Sequence, residues 1–311
     1  MSNFSIRKLL TVPELVPELP NYDFWLVLFY MRATYIWTLP RTEIALGQRT
    51  AVMGILNVTP DSFSDGGKYF DRDKAVARGK EIEQEGADLI DIGGESTRPG
   101  SEPITEEEEN RRVIPVIEML GSALKIPISI DTYRASIARR ALEAGAQIVN
   151  DISGLRFDDA LPPLVQGAGA GIVLMHSRGS RETLHKQGKM ENPLNEIMDG
   201  LAASVKAARV AGVSDRAIVI DPGIGFGKSG SDSLKVLESL SEFSRLKYPL
   251  LIGTSRKSFI RSLTQDSLEG RSWGTAATVV ASIMNGAHIV RVHDVRAARV
   301  LTDVTDRILQ A

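Results

Sequence analysis

The side chains of this chain that could bind a ligand or move charge gather at the ends of short β-branched runs. Asn57 closes the run AVMGILNV (51–58) and is followed by a polar loop, TPDSFSDGGKYF (59–70), punctuated by Pro60 and Gly66-Gly67. DLIDIG (88–93) leads into GGESTRPG (93–100), where two glycines free the backbone and Arg98 offers a planar fork for oxyanions. IPISID (126–131) ends in Asp131, AQIVND (146–151) in Asn150 and Asp151, and GIVLMH (171–176) in Met175 and His176. AIVIDP (217–222) places Asp221 ahead of PGIGFGKS (222–229), PLLIGT (249–254) runs into TSRKSF (254–259), and HIVRVH (288–293) carries Arg291 and His293 at alternate positions, hence on one strand face.

The residue types suggest a chemistry. Asp131, Asn150 and Asp221 suit a flat, guanine-like heterocycle with adjacent N–H donors and a carbonyl, because carboxylates accept from ring N–H and amino groups and an amide does either. Lys257 could donate to the ring carbonyl or a ring nitrogen. Arg291, His293 and Asn57 offer cations and one neutral oxygen, which suits a phosphate group with Mg²⁺, a hard ion that prefers oxygen ligands. Singly, each has an ordinary reading. Asp131-Thr132 before a helix could be an N-cap, Asn150 could satisfy loop backbone, and PGIGFGKS does not match the P-loop spacing. Arg98 and Arg291 could be surface groups and Met175 packing. The convergence argues for a binding site, since stability alone prefers apolar residues there.

The elements that must position this set follow from the spacing. Eight runs begin between residues 51 and 288 at an average interval of about 34 residues, the size of one strand plus one helix. Gly86-Ala87, Gly145-Ala146 and Gly286-Ala287 each precede a strand, where glycine suits a helix C-terminus. The expected fold is α/β, a (β/α)8 TIM barrel of parallel strands with helices outside; an open doubly wound sheet would lack the regular count of eight. Tyr35 to Leu39 and Glu43 to Leu46 read as a short hairpin capping the barrel bottom, so residues 35–311 form the barrel domain and residues 1–34 an N-terminal extension. Residues 1–30 read as a peripheral tail, with Met31 able to serve as a start.

Composition excludes several classes. At 43% hydrophobic and 24% charged over 311 residues, the chain is that of a folded protein. Thirty-seven basic against 39 acidic residues give a net charge of -2 and no electrostatic reason to expect nucleic acid or an anionic membrane as partner. Without cysteine there is no disulfide, thiolate nucleophile or Cys-ligated zinc, which fits a cytoplasmic location. The apolar run Phe24 to Met31 is far short of the ~20 residues that span a bilayer, and Glu14, Glu18 and Asp23 precede it where a secretory leader carries positive charge. No membrane segment is expected.

NVTPDSFSDGG (57–67), DIGGESTRPG (91–100), SIDT (129–132), NDISG (150–154), DPGIGFGK (221–228), SRKSF (255–259) and RVHDV (291–295) resemble the dihydropteroate synthase family, in order from about Trp37 to Gln310. The first two are long enough to be specific. Other pterin-binding barrels, such as the methyltetrahydrofolate domains of corrinoid-dependent methyltransferases, share the Asp and Asn strand ends but lack the TPDSFSDGG loop and the SRKSF element. The resemblance implies condensation of 6-hydroxymethyl-7,8-dihydropterin pyrophosphate with para-aminobenzoate in folate biosynthesis, giving 7,8-dihydropteroate and pyrophosphate. It implies that Asp131, Asn150, Asp221 and Lys257 contact the pterin, and that Asn57, Arg291 and His293 meet the pyrophosphate and Mg²⁺, with Asn57 the metal ligand. It places Thr97, Arg98, Pro99, Ser258, Phe226, and Phe63 and Asp65 of the first loop, near the aminobenzoate, which sulfonamides imitate. Loops 59–70 and 93–101 would close over the reactants. A homodimer through the last helices is implied too. The segment MHSRGSRETLH (175–185) departs from the family's commoner Met-Gln-Gly form, and the first 34 residues have no counterpart. A barrel that binds pterin as a non-catalytic partner subunit is the alternative, disfavoured because both the ring and the pyrophosphate sets are filled.

Overall fold

A strand covered on both faces is apolar at odd and even positions alike, and the eight runs follow this except where a polar side chain such as Asp91 or Arg291 enters the upper part of the barrel. The structure, a computed structural model, describes residues 32–59, 72–97, 101–184, 186–264 and 267–311. An antiparallel pair comes first, β1 (Tyr35–Thr38) and β2 (Glu43–Leu46). The repeat then begins with β3 (Ala51–Asn57), α1 (Arg72–Gln84), β4 (Leu89–Gly93), α2 (Glu106–Gly121), β5 (Ile128–Asp131), α3 (Ala135–Ala144), β6 (Ile148–Asp151) and α4 (Leu161–Ala168). It continues with β7 (Gly171–Met175), α5 (Pro193–Val210), β8 (Ile218–Asp221), α6 (Gly230–Glu238), β9 (Leu251–Ile252), α7 (Ser258–Leu263), α8 (Leu268–Met284), β10 (Ile289–Val292) and α9 (Val295–Leu309). All eight expected runs form strands, and Gly86, Gly145 and Gly286 take φ of +98°, +120° and +98° just past α1, α3 and α8.

The parallel order β8-β7-β6-β5-β4-β3-β10-β9 is closed between β8 and β9 by a bridge from Ile220 to Leu250, with the Ile220 N–H donating to the Pro249 carbonyl at 3.0 Å. PLLIGT contributes only two ladder residues. Pro249 has no N–H to give, and the Leu250 N–H donates instead to His288 Nδ1 at 3.1 Å.

Outward residues such as Val52, Ile90, Ile130, Val149, Ile172 and Ile220 join the helices in the main core. Inward residues Met53, Leu89, Ile148, Val173, Val219, Leu251 and Ile289 make a second core with Trp37, Leu39 and Leu46 of the hairpin. The hairpin therefore plugs the barrel at the N-terminal ends of the strands. Trp37 is fully buried and donates Nε1–H to the Ala217 carbonyl at 2.8 Å. The plug fits because position 171 is glycine; a Cβ there would stand 2.4 Å from Leu39 Cδ2.

The compact unit runs from Arg32 to Ala311. Arg32 donates to the Thr50 hydroxyl at 2.6 Å and the Ala287 carbonyl at 2.8 Å and pairs with buried Asp306, whose other oxygen accepts the Thr50 N–H. A chain beginning at Met31 is expected to keep the melting temperature and activity of the full chain, because every one of these contacts is retained. Arg32→Ala should cost about 3 kcal/mol in chemical denaturation, because it strands a buried carboxylate. An unchanged midpoint in that variant would show the pair to be dispensable.

Candidate functional site

One pleat above the inner apolar layer, the chemistry changes. The next inward positions after Leu89, Ile148, Val173, Val219 and Ile289 are Asp91, Asn150, Met175, Asp221 and Arg291. Arg291 organises this layer. Its Nε donates to Asp91 Oδ2 at 2.6 Å and its Nη2 to Asp131 Oδ2 at 2.8 Å, while Asn150 Nδ2 donates to the same Asp91 oxygen at 3.0 Å. Asp91 is fully buried. Asp131 is therefore no helix cap. The N-cap of α3 is Arg134 without a side-chain bond, and the Ala135 N–H is met by Asp158 at 2.7 Å.

Burial pushes the Asp131 carboxyl up to about 7, against the pull of Arg291. Asp221, at the end of β8, is likewise raised by burial to about 6, with the Gly223 N–H at 2.7 Å working the other way. Lys257 reaches over this end from the segment after β9. Its Nζ lies 3.8 Å from the centre of the Phe226 ring, within electrostatic reach of Asp131 and Asp221, and burial and then Arg291 bring it down to about 7. Two carboxylates and an ammonium thus titrate near neutrality within reach of one another at one end of the barrel, an arrangement typical of functional sites. Asp91 Oδ1 and the Ser129 hydroxyl beneath them are buried without a hydrogen-bond partner among the described residues.

On the adjoining strands Asn57 ends β3 half-buried, and His293 follows β10 with Nδ1 held 3.0 Å from the Ser255 hydroxyl. Thr97 is half-buried after β4, and Ser258 is exposed at the start of α7. Phe63, Asp65, Arg98 and Pro99 lie outside the described residues. Asp151 proves structural, accepting from the N–H groups of Ser153 and Leu155 at 2.8 and 2.6 Å. In the divergent segment after β7, Ser177 accepts from Arg156, and Arg178 pairs with Glu196 while donating to the carbonyls of Gly188 and Gly227. Both hold the loop itself. His176 is buried beside them, its imidazole driven down to about 2 by burial, so it stays neutral.

Sequence reasoning singled out neither Asp91 nor Lys228. A carboxylate inside the buried run LIDIG was a readable signal, because such a charge demands a cation. Lys228 Nζ donates to the carbonyls of His176 and Phe226 at 3.0 and 3.1 Å, tying the β7 end to the loop after β8, and burial lowers it to about 7. A separate cavity of about 1140 Å³ lies at the plugged end, lined by Tyr35, Lys206, Arg209 and Tyr248 among others, and contains none of these residues. Among the described residues, no helix is long and apolar enough to cross a membrane.

Residues 53–293 match the family model described as pterin binding enzyme. A dihydropteroate synthase of Bacillus subtilis is 48% identical over 86% of this chain and 92% of its own length. A solved dihydropteroate synthase of Xanthomonas albilineans with 4-aminobenzoic acid superposes with a TM-score of 0.83 at 39% identity, covering 90% of this chain and all of that one. One from Clostridium difficile with pteroic acid gives 0.79 at 44% identity, over 85% of this chain and 98% of the other.

The sign of the Lys257 shift gives a test. A lysine whose folded value lies near 7, below its ordinary 10.5, destabilises the fold most at pH values under 7, and the penalty fades toward 10.5. Lys257→Met, which keeps the stem, is expected to melt higher than wild type at pH 6, with the gain shrinking as pH rises in calorimetric scans. A lower melting temperature that falls further at acid pH would mean that the ammonium stabilises the fold.

Proposed function

This chain belongs to the dihydropteroate synthases, within the pterin-binding enzymes, and on that premise we propose how its strand ends carry out the reaction. It is a transferase of folate biosynthesis. The substrates are 6-hydroxymethyl-7,8-dihydropterin pyrophosphate and para-aminobenzoate, and the products 7,8-dihydropteroate and pyrophosphate. The observation that carries the reading is the inner layer itself, in which Arg291 joins Asp91 and Asp131 beside Asn150, Asp221 and Lys257. Its carboxylates accept from the ring N–H and amino groups of the pterin, Asn150, oriented by the one N–H it gives to Asp91, offers its oxygen and second N–H to the ring, and Lys257 donates to the ring carbonyl or a ring nitrogen.

At the rim, Arg291 keeps its Nη1 donors for an oxyanion, with His293 and Asn57 alongside. No group of three or more His, Asp or Glu gathers among the described residues, so an ion at Asn57 would take most of its ligands from the pyrophosphate and water, which suits Mg²⁺. Mg²⁺ bound there would neutralise charge on the leaving pyrophosphate. The bond from the pterin methylene to the pyrophosphate oxygen breaks, and its electron pair leaves with the oxygen. Asp131, beside the methylene, supports the positive charge that the ring delocalises. The arylamine nitrogen supplies the pair for the new C–N bond and then loses its proton to water, so no general base is required. Thr97, Arg98, Pro99, Ser258, Phe226, Phe63 and Asp65 form the arylamine pocket, and loops 59–70 and 93–101 exclude water.

Assembly as a homodimer is part of the proposal. Val300, Val304 and Ile308 on α9 are 61, 55 and 62% exposed at a spacing of four, an apolar stripe on the last helix, and Leu268 and Trp273 on α8 are exposed as well. We also place the protein in the cytoplasm, where a cysteine-free chain forgoes nothing.

Purified protein with both substrates and Mg²⁺ is expected to release pyrophosphate only when the arylamine is present; release without it, or none, would overturn the reaction. Asp131→Asn should lower turnover at saturating substrates about 100-fold, and near-normal turnover would remove its role toward the cation. Val304→Glu should halve the mass seen by light scattering. An unchanged mass would move the interface elsewhere.

A further inference from the structure

The divergent segment after β7 reaches across the mouth of the barrel. Arg181 is 8% exposed and donates Nε–H to Glu95 Oε1 at 2.5 Å and Nη2–H to the Ser96 carbonyl at 3.0 Å. Glu95 and Ser96 follow β4, immediately before Thr97. The same carboxylate, 5% exposed, also takes Arg134 at 3.1 Å and the Tyr133 hydroxyl at 3.3 Å from the segment after β5. Tyr133 in turn packs edge-on against Phe157 after β6, whose ring centre lies 5.3 Å from the Arg156 guanidinium. Arg156 closes the circuit by donating to the carbonyls of Ser177 and Gly179, four and two residues before Arg181. Loops from four strands are thereby locked together at the rim, with Arg134 holding the far part of the loop after β4 through Glu95 and the Ile104 carbonyl and Arg181 gripping its near part, beside Thr97, through Glu95 and the Ser96 carbonyl.

We infer that Arg181 is a positioning residue for the arylamine half of the site. This rests on the function proposed above, in which Thr97 and the residues after it meet the aminobenzoate. Arg181 fixes the backbone one residue before Thr97 through a charge-assisted pair and a second bond to a carbonyl, a combination whose loss costs a loop its register. Among the described residues its bonds go to Glu95 and Ser96 and not to Asp131, Asn150, Asp221 or Lys257, so the pterin half of the site is held independently of it.

The test compares wild type with Arg181→Met, Arg181→Lys and Glu95→Gln. In Arg181→Met the KM for para-aminobenzoate is expected to rise about tenfold, the effect of one charge-assisted bond. The dissociation constant for dihydropterin pyrophosphate, measured by calorimetry without arylamine, should stay within about twofold and kcat within about threefold. Arg181→Lys, which keeps the charge but not the second bond, should fall between. Glu95→Gln should reproduce the split, and combining it with Arg181→Met should add little, because both remove the same contact. If Arg181→Met does not fold, the split in Arg181→Lys decides. An unchanged KM for the arylamine, or an equal loss of affinity for both substrates, would overturn the inference while leaving the reaction standing. Absence of arylamine-dependent pyrophosphate release in the wild type would overturn both.

Discussion

Closing eight parallel strands into a barrel forces their inward side chains to meet, so whatever charge one strand brings inside must be answered by another. Arg291 is that answer. Asp91 and Asp131 enter from β4 and β5, and one guanidinium from β10 satisfies both while Asn150 shares the Asp91 oxygen. An apolar layer of similar volume would be the more stable filling, since desolvating these groups outweighs much of their mutual attraction. The layer is placed where a ligand gains from it, one pleat above a core that contains no charge. Stability is concentrated in the lower layer and the helices, and the upper layer is held to shape by a minimum of bonds.

This division explains what could be read from the residues alone. The eight strands were legible because burial on both faces leaves short, predominantly apolar β-branched runs, and the hairpin because it stands outside the repeat. Asp131, Asn150 and Asp221 were legible because each ends its run. Asp91 was harder, since it sits inside its run and reads as an interruption until the partner 200 residues away is brought beside it. Arg291 carries a related lesson. Its spacing from His293 puts the two on one strand face, yet that this face is the inward one and that Arg291 bonds two carboxylates follow only from barrel closure, which no local pattern encodes. The shortness of β9 is likewise tertiary, decided by the competition of the His288 ring for the Leu250 N–H.

The rim network is the least legible part. Glu95, Tyr133, Phe157 and Arg181 come from four loops, and each taken singly is an ordinary loop residue. What joins them is the short distance between strand ends around a closed circle, which lets one carboxylate collect partners from segments 38 and 86 residues away along the chain. The segment after β7 is also where the chain departs from the family's commoner form. Ser177 and Arg178, which could have been read as substrate groups, are spent on holding that segment still.

The pairing of Arg32 with Asp306 brings the first residue of the barrel against the final helix, beneath the strands and a full barrel height from the chemistry. Both ends of the folded body therefore emerge side by side on its inert pole. Such a body can be joined through either end to other polypeptides, or have its ends linked and be reopened at an outer loop, while the catalytic pole keeps its geometry.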